Sequence, residues 1–200
     1  MKKMPCLFVR IFHDKRSFTI TPEVTPGCEW VLAGEGVATI KWDGTACMVR
    51  DGILYKHYDA KRDRKTGEFR MPPPGAIACD EPDHETGHWP HWVAVDPTKP
   101  EDKHHVAAWE ALDVPRDLFP NGTYELCGPG VQGNPHKLER LELIRHGSGG
   151  KVWTFRNFET IRELCRGLEQ EGIVFHHPDG RMCKIRRADF GFQWPMAVAS

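Results

Sequence analysis

The sequence predicts an α+β fold, and three observations support this class. Strand-like segments rich in β-branched residues come first, at residues 37–42, 47–50 and 53–57. Helical periodicity follows later in the chain, at residues 104–112 and 157–170. The composition, 40% hydrophobic and 28% charged, is that of an ordinary globular protein. Strands and helices are therefore expected to share one core.

The bulk properties restrict organisation and location. A chain of 200 residues suits one domain, which would bury about 70% of its unfolded surface, so residues 1–200 are predicted to form one domain with no separate C-terminal domain. The apolar runs are too short to span a bilayer, and the N-terminus carries too few apolar residues for a secretory signal. The seven cysteines are scattered along the sequence, which indicates reduced thiols and not a disulfide framework. We expect a cytoplasmic protein, with a monomer favoured. The net charge of −1 restricts any polyanion binding to local patches.

The early strands are predicted from alternation and turn chemistry. Residues 30–32 are read as a short strand ahead of residues 37–42. Asp51 and Gly52 supply the two-residue turn of a hairpin between the next two strands. The proline-rich stretch at residues 71–102 contains Trp89 and is read as an elaborated, ordered surface loop.

The later elements comprise an amphipathic helix and a second hairpin. Within residues 157–170, apolar residues recur at spacings of three and four, which predicts one buried helix face. Residues 172–177 and 181–187, separated by a Pro-Asp-Gly turn, are typical of a β-hairpin. Strand alternation places Lys184 and Arg186 on one face, about 7 Å apart.

The segment Lys41-Trp42-Asp43-Gly44 presents a lysine where a strand gives way to a turn. A free lysine has a pKa of about 10.4, so nucleophilic attack at neutral pH requires desolvation or neighbouring cations. Lys184 and Arg186 would supply such cations. Taken alone, the segment is more typical of an ordinary surface hairpin turn than of a catalytic lysine.

Two carboxylates follow the lysine in strand-like contexts. Glu125 lies in Tyr124-Glu125-Leu126-Cys127-Gly128, and Glu171 begins Glu171-Gly172-Ile173-Val174-Phe175. Each of them alone could be an ordinary strand-edge carboxylate. Their order between Lys41 and the basic pair favours a catalytic set.

This order resembles the covalent nucleotidyltransferase superfamily, which includes DNA ligases, RNA ligases and mRNA-capping enzymes. The resemblance is collinear from residue 35 to residue 186. It implies that Lys41 forms a phosphoramidate with the nucleotide, and that Glu171 holds a divalent metal. Glu125 would face the nucleoside sugar or a metal-bound water, and Lys184 and Arg186 would grip the α-phosphate, where the superfamily normally has Lys-x-Lys.

The resemblance also implies a fold and cofactors. The expected fold is two antiparallel sheets flanked by helices, with ATP between them, and the expected cofactors are ATP and Mg²⁺ or Mn²⁺. The implied ATP-binding residues are Ile40, Lys41, Asp43, Gly44, Glu125, Glu171, Lys184 and Arg186.

Within the superfamily, four segments resemble the small RNA ligase family of vertebrates and of scattered bacteria and viruses. The match implies joining of RNA 5′-phosphate and 3′-hydroxyl ends through lysyl-AMP and an adenylylated RNA 5′ end. Ala46 stands where DNA ligases usually have arginine, which argues against nicked duplex DNA as the main substrate. The segments are Gly34-Glu35-Gly36, Asp63-Arg64-Lys65, Thr86-Gly87-His88-Trp89-Pro90 and Glu171-Gly172-Ile173-Val174-Phe175.

Further basic residues are candidates for contacts with phosphate or RNA, although solvated surface is the alternative for each of them. They are Lys61, Arg64, Arg181 and Arg187. A zinc site is not favoured, because the spacing of the candidate cysteine and histidine ligands fits no standard zinc finger. Its ligands would have been Cys79, His84, His88 and His91.

Two other functions remain open from the sequence. A capping-type guanylyltransferase shares the lysine chemistry but uses GTP. A non-catalytic nucleotide- or RNA-binding module would retain the pocket without turnover.

Overall fold

The computed structural model describes residues 4–14, 17–148, 150–153 and 155–195. The chain divides into two compact units: residues 44–146 form one, and residues 4–43 together with those from residue 147 onward form the other. They are called here the central unit and the terminal unit, respectively. The prediction of a single domain over the whole chain stays a prediction.

The secondary structure mixes strands with short helices, as the predicted α+β class requires. The helices are α1 (Glu29–Leu32), α2 (Lys103–Glu110) and α3 (Phe158–Gly167), with 3₁₀ turns at Pro100–Asp102, Arg116–Leu118 and Arg187–Phe190. The strands are β1 (Phe8–Phe12), β2 (Phe18–Val24), β3 (Val37–Lys41), β4 (Thr45–Arg50), β5 (Ile53–Asp59), β6 (Ile77–Ala78), β7 (Pro90–Ala94), β8 (Gly122–Cys127), β9 (Glu142–Arg145), β10 (Lys151–Val152), β11 (Gly172–His176) and β12 (Met182–Arg186).

The central unit is built on an antiparallel sheet with the strand order β6-β7-β5-β4-β8-β9. The predicted hairpin between β4 and β5 is confirmed. Asp51 and Gly52 both have positive φ, 53° and 75°, as a two-residue hairpin turn with the twist of its strands requires. Helix α2 covers the sheet with Ala108 and Trp109. The stretch predicted as a loop at residues 71–102 contributes β6 and β7 to this sheet.

The terminal unit contains a four-stranded sheet in the order β10-β3-β11-β12 and the two-stranded ribbon β1-β2. Alternate residues of β11 and β12 point into the core and are fully buried, as are the residues of α3 that face them. This packing confirms the predicted hairpin and the predicted buried helix face. The core residues are Ile173, Phe175, Cys183 and Ile185 of the strands and Ile161 and Cys165 of the helix.

Helix α3 is fixed at both ends by side chains. Asn157 caps its start by accepting a hydrogen bond from the Thr160 N–H at 2.9 Å. The helix ends at Gly167, three residues before the predicted end, because Leu168 is extended. The Arg187 guanidinium donates to the carbonyls of Cys165 at 2.7 Å and Arg166 at 2.9 Å, which would otherwise lack partners.

The predicted strand at residues 30–32 is wrong. These residues lie in α1, where Trp30 and Val31 are both buried, and adjacent burial does not fit the alternation of a half-buried strand. The Ala33 N–H donates to the Glu29 carbonyl at 3.1 Å, so local hydrogen bonds replace a strand ladder. Across the described residues, the helices are all too short or too polar to cross a bilayer.

Candidate active site

The register of the terminal unit's sheet brings the predicted lysine and the basic pair to one face. Gly172, the first residue of β11, pairs with Lys41 on one side and with Arg186 on the other. Directly paired residues of antiparallel strands project to the same face, and Lys184 shares it because it lies two residues from Arg186. The opposite face carries the buried Cys183 and Ile185. The side chains of Lys41, Lys184 and Arg186 therefore project from the same face of the sheet.

Glycine is required at the centre of this group. A Cβ atom on Gly172 would lie 2.2 Å from the Ile185 carbonyl oxygen and 2.7 Å from the Arg186 Cα. Both are backbone atoms, so the strands would have to move apart to admit a side chain.

Glu171 pairs with the lysine nitrogen. The Lys41 Nζ forms an ion pair with Glu171 Oε2 and donates to the Trp42 carbonyl at 3.3 Å. The two paired side chains are only 18% and 11% exposed, so the contact is partly desolvated. Burial raises the pKa of Glu171, while the charge of Lys41 and the hydrogen bond from it oppose that rise. A desolvated carboxylate of this kind depends on a neighbouring cation to remain charged.

The pKa of Lys184 is lowered, which is the direction expected for a cation close to other cations. Burial lowers the pKa of Lys184, and the positive charges of Lys41 and Arg186 lower it further. Glu171 opposes this shift. The face thus concentrates positive charge in a partly buried position, which suits the binding of a phosphate group.

Asp189 anchors the arginine of the pair. Its side chain is fully buried, and its Oδ1 accepts hydrogen bonds from Arg186 Nη2 at 2.9 Å and from Arg10 Nη2 at 2.7 Å. Its Oδ2 accepts from the Arg186 backbone N–H at 2.8 Å. Although burial favours the neutral acid, the hydrogen bonds and charges of the arginines lower the pKa of Asp189. Asp189 and Arg10 were not predicted from the sequence, and an acid two residues after a basic run was the available signal for Asp189.

The aspartate of the lysine motif is held by a tryptophan far along the chain. Trp194 Nε1 donates to Asp43 Oδ2 at 2.7 Å. The negative charge of Asp43 also contributes to the raised pKa of Glu171. Trp194 was missed, because nothing in its local sequence indicates a partner so distant.

Glu125 and Gly44 meet in the central unit. Glu125 Oε1 accepts a hydrogen bond from the Gly44 backbone N–H at 3.1 Å, and its Oε2 contacts His146 Nε2 at 2.9 Å. His146 Nδ1 lies 3.0 Å from Thr123 Oγ1, which orients the ring. A Cβ on Gly44 would approach the Leu126 carbonyl oxygen to 2.2 Å, so this position requires glycine. Glu125 therefore fixes the turn that follows the lysine, and His146, also missed from sequence, fixes Glu125.

Two of the predicted site residues face elsewhere. Ile40 pairs with Ile173, which in turn pairs with Ile185, so strand alternation turns its side chain away from the face of Lys41. Arg187 is buried and bonds the carbonyls at the end of α3. Ile40 therefore offers only its backbone to the lysine face, and Arg187 stabilises a helix end instead of presenting its guanidinium to RNA.

The remaining basic candidates are exposed. Arg181 forms an ion pair with Asp179 at 2.8 Å and immediately precedes β12, whose last residue, Arg186, is about 17 Å away by strand rise. Lys61 and Arg64 are exposed in the central unit. Their contacts with RNA stay predictions.

The loop histidines make contacts of other kinds. His88 pairs with Asp59, and His91 Nδ1 lies 2.8 Å from the Trp89 carbonyl oxygen. In the described part of the chain, no three or more Cys, His, Asp or Glu side chains are grouped so that they could hold a metal ion by themselves.

Comparison with known proteins gives consistent matches. The model of the RNA ligase 1 family matches residues 98–199. RNA ligase 1 of Danio rerio is 26% identical in an alignment that covers 98% of this chain and 82% of that protein. RNA ligase 1 proteins of Rattus norvegicus and Mus musculus are each 25% identical with the same coverage.

The chain belongs to the RNA ligase 1 family. Membership confirms the resemblance drawn from the sequence motifs. The segment matched by the RNA ligase 1 model contains Glu125, Glu171, Lys184 and Arg186, whereas Lys41 precedes it.

Proposed function

We propose that this protein is an ATP-dependent RNA ligase that joins RNA 5′-phosphate and 3′-hydroxyl ends through a covalent lysyl-AMP on Lys41. The observation that carries the proposal is the convergence of Lys41, Lys184 and Arg186 on one sheet face, with Glu171 paired to the lysine nitrogen. The RNA substrate follows from membership of the RNA ligase 1 family.

The residues fit a divalent metal that arrives with the nucleotide. Mg²⁺ in proteins is usually held by one or two carboxylates together with substrate phosphates and water, and Mn²⁺ accepts the same oxygen ligands. Glu171 supplies such a carboxylate, and Glu125 is a candidate ligand through water. The metal would neutralise phosphate charge as a Lewis acid.

The first chemical step is nucleophilic attack by Lys41. In the structure, the Glu171 carboxylate forms an ion pair with the Lys41 nitrogen. Glu171 would hold the metal in place of its contact with Lys41, and the neighbouring cations Lys184 and Arg186 would favour the neutral amine of Lys41, with its proton passing to water. The neutral amine attacks the α-phosphorus of ATP, so that a P–N bond forms and the P–O bond to pyrophosphate breaks.

The same cations serve the two later steps. An oxygen of the RNA 5′-phosphate attacks the AMP phosphorus, the P–N bond breaks, and the Lys41 nitrogen takes up a proton from water and leaves as the amine. The RNA 3′-hydroxyl then attacks the 5′-phosphorus and gives its proton to water, so that a phosphodiester forms and AMP departs. In each step, Lys184 and Arg186 stabilise the negative charge on the phosphoryl oxygens. Lys61, Arg64 and Arg181 are proposed to contact the RNA backbone.

The decisive test is transfer of label to the protein. Wild type mixed with α-labelled ATP and Mg²⁺ should acquire a label that mass mapping places on Lys41, and Lys41→Ala should acquire none. Lys151→Ala is the matched control, because Lys151 is an exposed lysine on the neighbouring strand of the same sheet. If the wild-type protein takes up no label, the proposed enzymatic activity is refuted.

Two further readouts separate the alternatives. Preferential labelling by GTP would indicate a capping-type guanylyltransferase. Assays with 5′-phosphorylated RNA, single-stranded and structured, should yield joined product; RNA binding without label or product would indicate a binding module.

A further inference from the structure

The ribbon β1-β2 carries a basic and aromatic face. Arg10 pairs with Ile20, and Phe12 pairs with Phe18. Paired residues of antiparallel strands, and alternate residues of one strand, share a face. Arg10, Phe12 and Phe18 therefore lie on the same side of the ribbon, which we call the ribbon face.

Contacts run without a break from the candidate active site to the outer end of this face. Arg186 and Arg10 donate to the same oxygen of Asp189 at 2.9 and 2.7 Å. The Arg10 guanidinium lies 5.0 Å from the centre of the Phe18 ring, and the Phe18 and Phe12 ring centres are 5.5 Å apart. The ribbon face is thus continuous with the cations assigned to phosphate binding.

The outer end of the ribbon face is open to solvent. Phe12 is 63% exposed, and its neighbour Ile11 on the other side is 52% exposed. Single exposed apolar residues are common on protein surfaces. An exposed ring packed at a 55° tilt against a second ring, which in turn contacts a guanidinium, is a more specific arrangement, because it offers apolar ring surface next to positive charge.

We propose that the ribbon face is a stacking platform for the bases of the single-stranded RNA end whose 5′-phosphate lies at Lys184 and Arg186. This inference rests on the proposed function and adds the route that the RNA takes. Proteins that bind single strands combine aromatic rings that stack on bases with cations that follow the backbone. Arg10 and Phe12 are two residues apart, about 7 Å by strand rise, so the platform lies within a few nucleotides of the phosphate site.

A second copy of the chain is the competing occupant of this face. Charge disfavours it, because a symmetric pairing would bring Arg10 toward the Arg10 of the other copy. Area disfavours it as well, since a stable interface buries about 1,200–2,000 Å² and the exposed Phe12 side chain covers only a small part of that. Single-stranded RNA offers phosphates to the cations and bases to the aromatic rings.

The test uses substitutions at Phe12, which is the most exposed ring of the platform. Binding of a short, fluorescent, 5′-phosphorylated single-stranded RNA is measured by anisotropy. Phe12→Ala and Phe12→Leu should raise Kd by roughly 5- to 150-fold, the effect of losing one stacked base, whereas Phe12→Trp should bind like wild type. Met71→Ala removes an exposed apolar side chain of the central unit and is the matched control. The melting temperature verifies that each variant is folded.

Each contrary outcome is distinct. An unchanged Kd in Phe12→Ala overturns the platform, and full binding by Phe12→Leu overturns stacking in favour of general apolar contact. A wild-type dimer in sedimentation that Phe12→Ala dissociates overturns it in favour of a protein interface. If Lys41 takes the label but Phe12 variants bind RNA normally, only the platform fails; if Lys41 takes no label, the proposed function fails.

Discussion

Trp194 Nε1 donates a hydrogen bond to the Asp43 carboxylate at 2.7 Å, which ties the end of the described chain to the motif that carries the nucleophilic lysine. Trp194→Phe retains an aromatic ring but removes the donor. A hydrogen bond to a charged group is worth about 1.5–3 kcal/mol, so if it positions Asp43 for the reaction we expect labelling of Lys41 to slow by about tenfold or more.

The measurement is the initial rate of label uptake at saturating ATP. Trp153→Phe is the matched control, because Trp153 is 90% exposed in the same unit. Equal rates in wild type and Trp194→Phe would show that Asp43 is positioned without the indole.

Gly172→Ala should damage the site through the backbone. The added Cβ would meet the Ile185 carbonyl oxygen at 2.2 Å and the Arg186 Cα at 2.7 Å. Overpacking of a well-packed region costs about 1–3 kcal/mol, occasionally more, and here it would also displace Arg186. We expect a lower free energy of unfolding in urea together with loss of Lys41 labelling.

Gly167→Ala provides the contrast. Gly167 lies at the end of α3 without a positive φ, and a Cβ added there would meet no atom within 4 Å. Alanine at this position should therefore be neutral or stabilising by up to about 1 kcal/mol. If both alanine variants are equally stable, the steric account of Gly172 is wrong.

Asp189 should make stability depend on acid pH. Its pKa is lowered in the folded protein by Arg186 and Arg10, so the carboxylate stabilises the fold above its unfolded pKa of about 3.9. That contribution is lost as the pH falls from there through the folded pKa. Asp189→Asn should cost about 1.5–3 kcal/mol at pH 7, and the difference from wild type should shrink toward pH 3. Chemical denaturation at a series of pH values measures it, and a difference independent of pH would contradict the ion-pair account.

The elements that could be predicted from the sequence are those that short-range patterns determine. The hairpin turn at Asp51-Gly52 and the periodicity of α3 follow from short-range chemistry, and both are confirmed. The placement of Lys184 and Arg186 on the same face of one strand follows from the alternation of side chains alone. Residues 30–32 were wrongly predicted as a strand because a tryptophan beside two β-branched or aliphatic residues has high strand propensity, whereas tertiary burial favours a helical turn there.

The supporting residues could not be predicted in this way. Arg10, His146 and Trp194 act through partners that are 179, 21 and 151 positions away in the chain. No periodicity connects such positions, and only the tertiary fold brings them together. The error at Arg187 has the same origin, because a basic run does not reveal which of its members lies beneath a helix end.

Glu171→Gln separates the charge of this residue from its packing. The substitution keeps the size of the side chain but removes the counter-ion of Lys41 and the carboxylate proposed to hold Mg²⁺. Because burial raises the pKa of Glu171, the ionised form is disfavoured in the fold, and the amide avoids that cost. We therefore expect the free energy of unfolding at pH 7 to change by less than about 1 kcal/mol, while Lys41 labelling falls by about 100-fold. Added Mn²⁺ should not restore labelling, since the ligand itself is missing. Full labelling by folded Glu171→Gln would show that the carboxylate only accompanies the lysine and that the metal is held by other groups.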